Sequence, residues 1–168
     1  EFLLEAIESE YLYITDGNVS CFYIGDSLTN EGYYGIGLLE RIEWNETTFI
    51  VEEGYGDHPV ANITYYGANA FAEYYGMRWP TTNELEKSAR GMTGNNFPWW
   101  NNNLSCELYN YYTCVGSTAE VGSYNASIPY GLFDLSGNVE EWTSTFHSDS
   151  EMYLKWGAWG LNTYSYFL

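Results

Sequence analysis

Tyr130-Gly-Leu-Phe-Asp-Leu-Ser-Gly-Asn-Val-Glu-Glu-Trp-Thr143 is the stretch on which the reading of this chain turns. A turn signal, Ser136-Gly137-Asn138, is set among the acids Asp134, Glu140 and Glu141, with Leu132, Phe133, Leu135, Val139 and Trp142 on either side. Carboxylates at this density, beside residues that must be buried, need a reason. Either they stay solvated on a loop rim, or they surround a cation.

Upstream, Thr64 reads as an N-cap and Tyr65 to Tyr75 as an amphipathic helix closed by Gly76, with Ala68, Phe71, Ala72 and Tyr75 at helical spacing. A second helix follows Arg78-Trp79-Pro80, capped by Thr81 or Thr82. Glu84 lies in its first turn, and Lys87 and Arg90 lie near its end before Gly91. That charge order suits the helix dipole, and Leu85 and Ala89 form the apolar stripe. Nearer the start, residues 10–15 and 20–24 read as strands at hairpin distance, and residues 42–51 as another extended pair. The Gly-rich segment Asn30 to Gly37 has neither a strand-to-helix context nor a basic residue, so it does not read as a phosphate loop. Residues 92–129 read as irregular chain, a length that is functional or pinned by ions. Residues 139–146 and 152–159 read as strands. The pattern is α+β: two helices packed on short antiparallel strands, in one loop-rich domain over residues 1–168.

At 168 residues the chain is long enough for a sizeable core. It carries 18 Tyr and 7 Trp, which either line strands or supply rigid contact area with a polar handle. Five Lys+Arg against 23 Asp+Glu give a net charge of −18. That charge repels nucleic acid and anionic membranes, and leaves cations, basic partners and neutral ligands. Adaptation to high salt would leave the same signature. No apolar run is long enough for a transmembrane helix, so no membrane insertion is expected. The chain begins at Glu1 without Met and is expected to be a trimmed or mature fragment. Cys106 and Cys114 are close enough to bridge a loop and leave Cys21 over; alternatively all three are buried thiols. His58, ahead of Pro59, is expected to make an orienting hydrogen bond. His147 is expected to be solvated in an acidic loop with Asp149 and Glu151.

Four motifs in order then resemble one family. Asp57-His-Pro-Val-Ala-Asn-Ile-Thr-Tyr-Tyr66 is similar to its acidic-His-Pro-Val lead-in to the first helix. Gly76-Met-Arg-Trp-Pro-Thr-Thr-Asn-Glu-Leu-Glu-Lys-Ser-Ala-Arg-Gly91 resembles its Arg-Leu-Pro-Thr-Glu helix. Phe97-Pro-Trp99 resembles its Tyr-Pro-Trp-Gly, and the opening stretch its Gly-Leu-Tyr-Asp-Met-x-Gly-Asn-Val-x-Glu-Trp-Thr. By these motifs the chain is identified as a member of the formylglycine-generating-enzyme-like (sulfatase-modifying-factor) domains, a C-type lectin fold variant. The resemblance is clearest over residues 44–160.

The resemblance implies a non-catalytic protein. The family's oxidases carry a Cys pair near the C-terminus in an Arg-rich segment, and here no Cys follows Cys114. The variable proteins of diversity-generating retroelements resemble the chain more. Leu154-Lys-Trp-Gly-Ala-Trp159 stands where the family has Arg-Gly-Gly-Ser-Trp. Asn162-Thr-Tyr-Ser-Tyr-Phe-Leu168 holds only residues reachable by adenine-directed mutagenesis of Asn-type codons. The expected function is ligand binding through a variable C-terminal segment displayed at a cell surface or on a virion. Its partner would be an unknown protein or glycan, contacted by Trp156, Trp159, Asn162, Tyr164 and Tyr166, with Trp99 and Trp100 on the rim. Trp159 and Trp142 could equally anchor the core. The alternative is a calcium-dependent lectin-like module that binds carbohydrate or protein; an oxidase comes last. By resemblance to calcium-binding members, Asp134, Gly137, Val139 and Glu141 would hold a structural Ca²⁺, the middle two through carbonyls. Oxygen-only donors suit that ion. Without metal, Asp134 would cap the turn and Glu141 would pair with Arg78 or Arg90.

Overall fold

The computed structural model describes residues 2–15, 18–23, 32–35, 40–92, 105–112, 114–124, 130–148, 151–155 and 157–160. They form two compact units, Glu1–Gly56 with Val60–Trp79, and Asp57–Pro59 with Pro80–Leu168. The elements are short helices and antiparallel sheets of two or three strands, an α+β arrangement.

In the first unit, helix α1 (Phe2–Glu8) leads into β1 (Leu12–Thr15), β2 (Asn18–Tyr23) and β3 (Gly32–Gly35), an antiparallel sheet in that order. A hairpin of β4 (Ile42–Trp44) and β5 (Phe49–Val51) follows, then helix α2 (Tyr65–Tyr74). Ala6, Leu12, Val19 and Ala70 form the buried centre, with Phe2, Ile7, Ile42, Phe49, Tyr66 and Tyr74 packed around it. Burying a residue such as Leu12 contributes about 2 kcal/mol.

Helix α1 and strand β3 are absent from the sequence reading. A Schellman-type closure ends α1: the Tyr11 N–H reaches the Ala6 carbonyl, the Glu10 N–H reaches that of Ile7, and Glu10 takes the left-handed position at φ 60°. Glycine normally signals that position, so the stop was hidden. Helix α2 ends in the same way at Gly76, φ 65°, and begins at Thr64, whose Oγ1 accepts the Gly67 N–H. Its buried face is rotated from the expected one. Gly67, Ala70 and Ala72 face inward, while Phe71 and Tyr75 stay 43% and 47% exposed and pack on Phe2.

In the second unit, helix α3 (Thr82–Arg90) matches its reading closely. Thr81 and Glu84 form a reciprocal capping box, and Leu85 and Ala89 are buried against Leu135. Strands β6 (Glu141–Ser148) and β7 (Glu151–Lys155) pair antiparallel with bulges. Thr145 Oγ1 accepts the Thr82 N–H, and the Pro80 carbonyl accepts the Ser144 N–H, so β6 receives the start of α3. His147 lies exposed on β6 with its ring 4.9 Å from that of Tyr153, rather than in a loop. The described residues of 92–129 form neither helix nor strand, as read from sequence. No described helix is long and apolar enough to cross a membrane.

Thr81→Ala removes one half of the capping box. It is expected to cost about 1 kcal/mol in urea unfolding, with an unchanged denaturant slope.

Candidate functional site

The site is built on a turn that most residues could not make. Asp134, Gly137 and Asn138 all have left-handed backbone, at φ 57°, 79° and 63°. A Cβ at Gly137 would stand 2.3 Å from the Asn110 carbonyl oxygen, so only glycine fits. Asn138 tolerates this conformation because its short amide can bond locally. Here that amide is 2% exposed and bonded throughout. Its Oδ1 accepts the Ala119 N–H at 2.8 Å, and its Nδ2 donates to the Ala119 carbonyl at 3.1 Å. Its backbone N–H donates to the Asn110 carbonyl at 2.7 Å, and its own carbonyl accepts the Trp159 N–H at 3.0 Å.

Asn110 is the partner that completes this node. It is fully buried, and its Nδ2 donates to the Ser117 carbonyl at 2.8 Å and lies 3.4 Å from Asn138 Oδ1. Tyr109, also buried, stacks on Tyr111 with ring centroids 4.5 Å apart. The loop that carries them is closed by a Cys106–Cys114 disulfide, which settles the alternatives left open by the cysteine spacing. Over a separation of eight residues, such a link restricts the unfolded chain by about 2–3 kcal/mol.

The acids sit beside the node. Asp134, half-buried, accepts the Gly122 N–H on Oδ2, so it ties two loops together rather than capping its own turn. Glu141 opens β6 opposite Lys155. Its Oε2 is sealed from solvent and has no hydrogen-bond partner. Burial pushes its carboxyl well above the usual range; a bond from its own backbone N–H opposes this, while the charges of Asp134 and Glu140 reinforce it. Burial also raises the Glu140 carboxyl. Arg90 pairs with Glu86, and Arg78 donates to the Trp79 carbonyl.

Of the residues singled out from sequence, Asp134, Gly137, Val139 and Glu141 share one turn and the start of one strand. Asp134 is close enough for its charge to act on Glu141. Trp159 is half-buried, with its backbone held to Asn138. Trp156, Asn162, Tyr164 and Tyr166 lie outside the described residues, as do Trp99 and Trp100. His58 makes the expected orienting bond, Nδ1 to Thr118 Oγ1 at 2.9 Å. Sequence reading missed Asn110 and Ala119, whose roles depend on distant chain and leave no local signal. Among the described residues, no three His, Cys, Asp or Glu side chains converge as a metal cluster.

Comparison with known proteins agrees with this architecture. The profile of the sulfatase-modifying factor enzyme 1-like domain matches residues 12–166. A serine/threonine-protein kinase pkn1 of Chlamydia pneumoniae is 36% identical over 108 residues, 64% of this chain and 17% of that protein. The inactive C-alpha-formylglycine-generating enzyme 2 of Bos taurus is 34% identical over 142 residues, 77% of this chain and 42% of that protein. The chain thus spans less than half the length of these relatives. Among solved structures, Treponema denticola variable protein 1 superposes with a TM-score of 0.57 at 16% identity, covering 92% of this chain and 89% of that one.

Gly137→Ala places a methyl group against the Asn110 carbonyl in a left-handed backbone. A loss of about 3 kcal/mol or more is expected in urea unfolding, against a few tenths for Gly160→Ala, whose Cβ would meet open space.

Proposed function

The chain belongs to the sulfatase-modifying factor enzyme 1-like family, and from that premise we propose that it is a non-catalytic display protein. In this reading a sequence-variable C-terminal segment binds a protein or glycan ligand on a rigid scaffold. The observation that carries the reading is the bond from the Trp159 N–H to the Asn138 carbonyl. A main-chain bond fixes where the segment departs and asks nothing of its side chains. Beyond it, residues 162–168 hold only Asn, Thr, Tyr, Ser, Phe and Leu. Such residues supply rigid aromatic area and adaptable polar contacts. The likeness to a variable protein over nearly the whole of both chains supports the same reading. Two of the three cysteines are consumed in the disulfide, which speaks against a thiol-based oxidase. The presence of a disulfide also favours an oxidising location such as a cell or virion surface.

The scaffold in this reading includes a structural calcium ion. The fit rests on Glu141, a buried carboxylate oxygen without a partner beside a second acid. Asp134, with Oδ2 engaged by Gly122, keeps its other oxygen for an ion. The carbonyls of Gly137 and Val139 would complete the donor set. The ion would supply positive charge that offsets the repulsion between the two acids.

Calcium and pH should therefore act on the same residue. A carboxyl whose folded pKa lies above its unfolded value binds a proton on folding. Its destabilising effect is absent below about 4.5 and grows as pH rises through the raised folded value. Lys155, opposite in the ladder, is the cation that faces it. Glu141→Gln is expected to raise the Tm of the calcium-free protein near pH 7 and to leave it unchanged near pH 4. Millimolar calcium should raise the Tm of the native protein and not that of the variant. A native Tm indifferent to calcium would remove the ion from the scaffold.

The display reading is tested by a library randomised at Asn162, Tyr164 and Tyr166. Most members should keep a Tm within a few degrees of the parent, and selection should yield binders to unrelated ligands. Widespread loss of folding would make this segment core and end the proposal. Flanking DNA with a reverse transcriptase and a near-copy of the 3′ coding segment, differing at adenines, would support it independently.

A further inference from the structure

We propose that the Cys106–Cys114 disulfide is a thiol-exchange site whose reduction loosens the Asn110–Asn138 node and with it the hold on Trp159. The bridge joins two environments. Cys106 is exposed and Cys114 half-buried, while Tyr109 and Asn110, in the middle of the closed loop, are sealed in the interior. An external dithiol can therefore reach the Cys106 sulfur. Its thiolate attacks Cys106 Sγ, the S–S bond breaks, and Cys114 leaves as a thiolate. The second thiol of the dithiol then closes on the first, releasing Cys106. The dithiol is oxidised to its disulfide, and its two protons end on Cys106 and Cys114.

The bridge matters because regular structure does not hold this loop. No helix or strand runs through residues 105–112 or 114–124. The bonds that shape the loop locally are short-range turns, Leu108 N–H to Ser105 and Cys114 N–H to Tyr111. Tyr112 is kept at φ 28°, a backbone region that side-chain-bearing residues rarely occupy. The Asn110 carbonyl that receives the Asn138 N–H and backs Gly137 is thus positioned by the covalent ring together with the Asn110 Nδ2–Ser117 bond. Asn138 in turn holds Ala119 and Trp159. Opening the ring frees Asn110 first, then those two. This concerns the node alone and stands whether or not residues 162–168 form a display site.

Amide hydrogen exchange on the intact protein decides the matter, comparing the oxidised form with the form held in dithiothreitol. The amides of Ala119, Asn138 and Trp159 should exchange on the order of tenfold faster after reduction. Those of Leu85 and Ser144, in the same unit but bonded to Thr81 and Pro80, should not change. A Cys106→Ser/Cys114→Ser variant should reproduce the reduced pattern without reductant, and a Cys21→Ser variant should leave the response to dithiol intact. Unchanged protection at the three node amides overturns the proposal. Equal loss at Leu85 and Ser144 also overturns it, since the bridge would then be a general staple. Should the double variant not fold, reduction of the native chain distinguishes these outcomes by itself.

Discussion

A buried carboxamide in a left-handed turn is the constraint that the second unit is arranged around. Asn138 is sealed from water, so each of its polar groups needs a partner inside the protein. Those partners come from two stretches distant in sequence, Asn110 and Ala119 in one and Trp159 in the other. None lies in a helix or strand, so one residue, through its main chain and its amide, supplies the register that a sheet would otherwise give. Gly137 makes the arrangement possible by letting the Asn110 carbonyl approach where any Cβ would collide. The Asp134–Gly122 and His58–Thr118 bonds add further ties between these loops, and the Cys106–Cys114 link adds a covalent one.

The same turn explains why acids gather in a chain already at −18. Asp134 accepts a backbone N–H from Gly122, so its charge does structural duty between two loops. Glu141 is different. It is carried inward because β6 must begin where the turn ends, and its Oε2 finds no donor there. A lone buried carboxylate is costly, and protonation or a cation lowers the cost. An acidic protein that leaves such a group unmatched has either a weakness or a ligand at that point, and oxygen donors of this kind suit a hard divalent ion.

What could be read in the sequence was what is decided locally. Helix α3 was legible because its cap, its dipole charges and its stripe all lie within a dozen residues. The β4–β5 hairpin and the β6 strand were legible for the same reason. Helix α1 was lost because a glutamate, not a glycine, makes its left-handed stop. The face of α2 was misjudged because small residues, Gly67 and Ala70, give the closest approach while larger Phe71 and Tyr75 stack outside. The family motif marked the acidic turn correctly. It gave no hint of Asn110, whose importance arises only when two distant loops meet.

That division bears on how such a scaffold could tolerate variation. Side chains in the node are specified by contact: Gly137 by a carbonyl, and Asn138 by complementary bonds on both amide atoms. The tie to Trp159 uses only main-chain atoms. A segment anchored by its backbone and beginning after the last specified side chain can change sequence without disturbing the fold. Under the display reading, the fold therefore separates its two requirements along the chain. Specified side-chain chemistry would lie in the turn and in β6, where Thr143 and Thr145 are bonded, and variable chemistry would begin beyond Trp159, where the backbone is held. An active site needs the opposite arrangement, with specific side chains fixed at the point of contact. Under the display reading no such fixed contact is required beyond the Asn138–Trp159 tie.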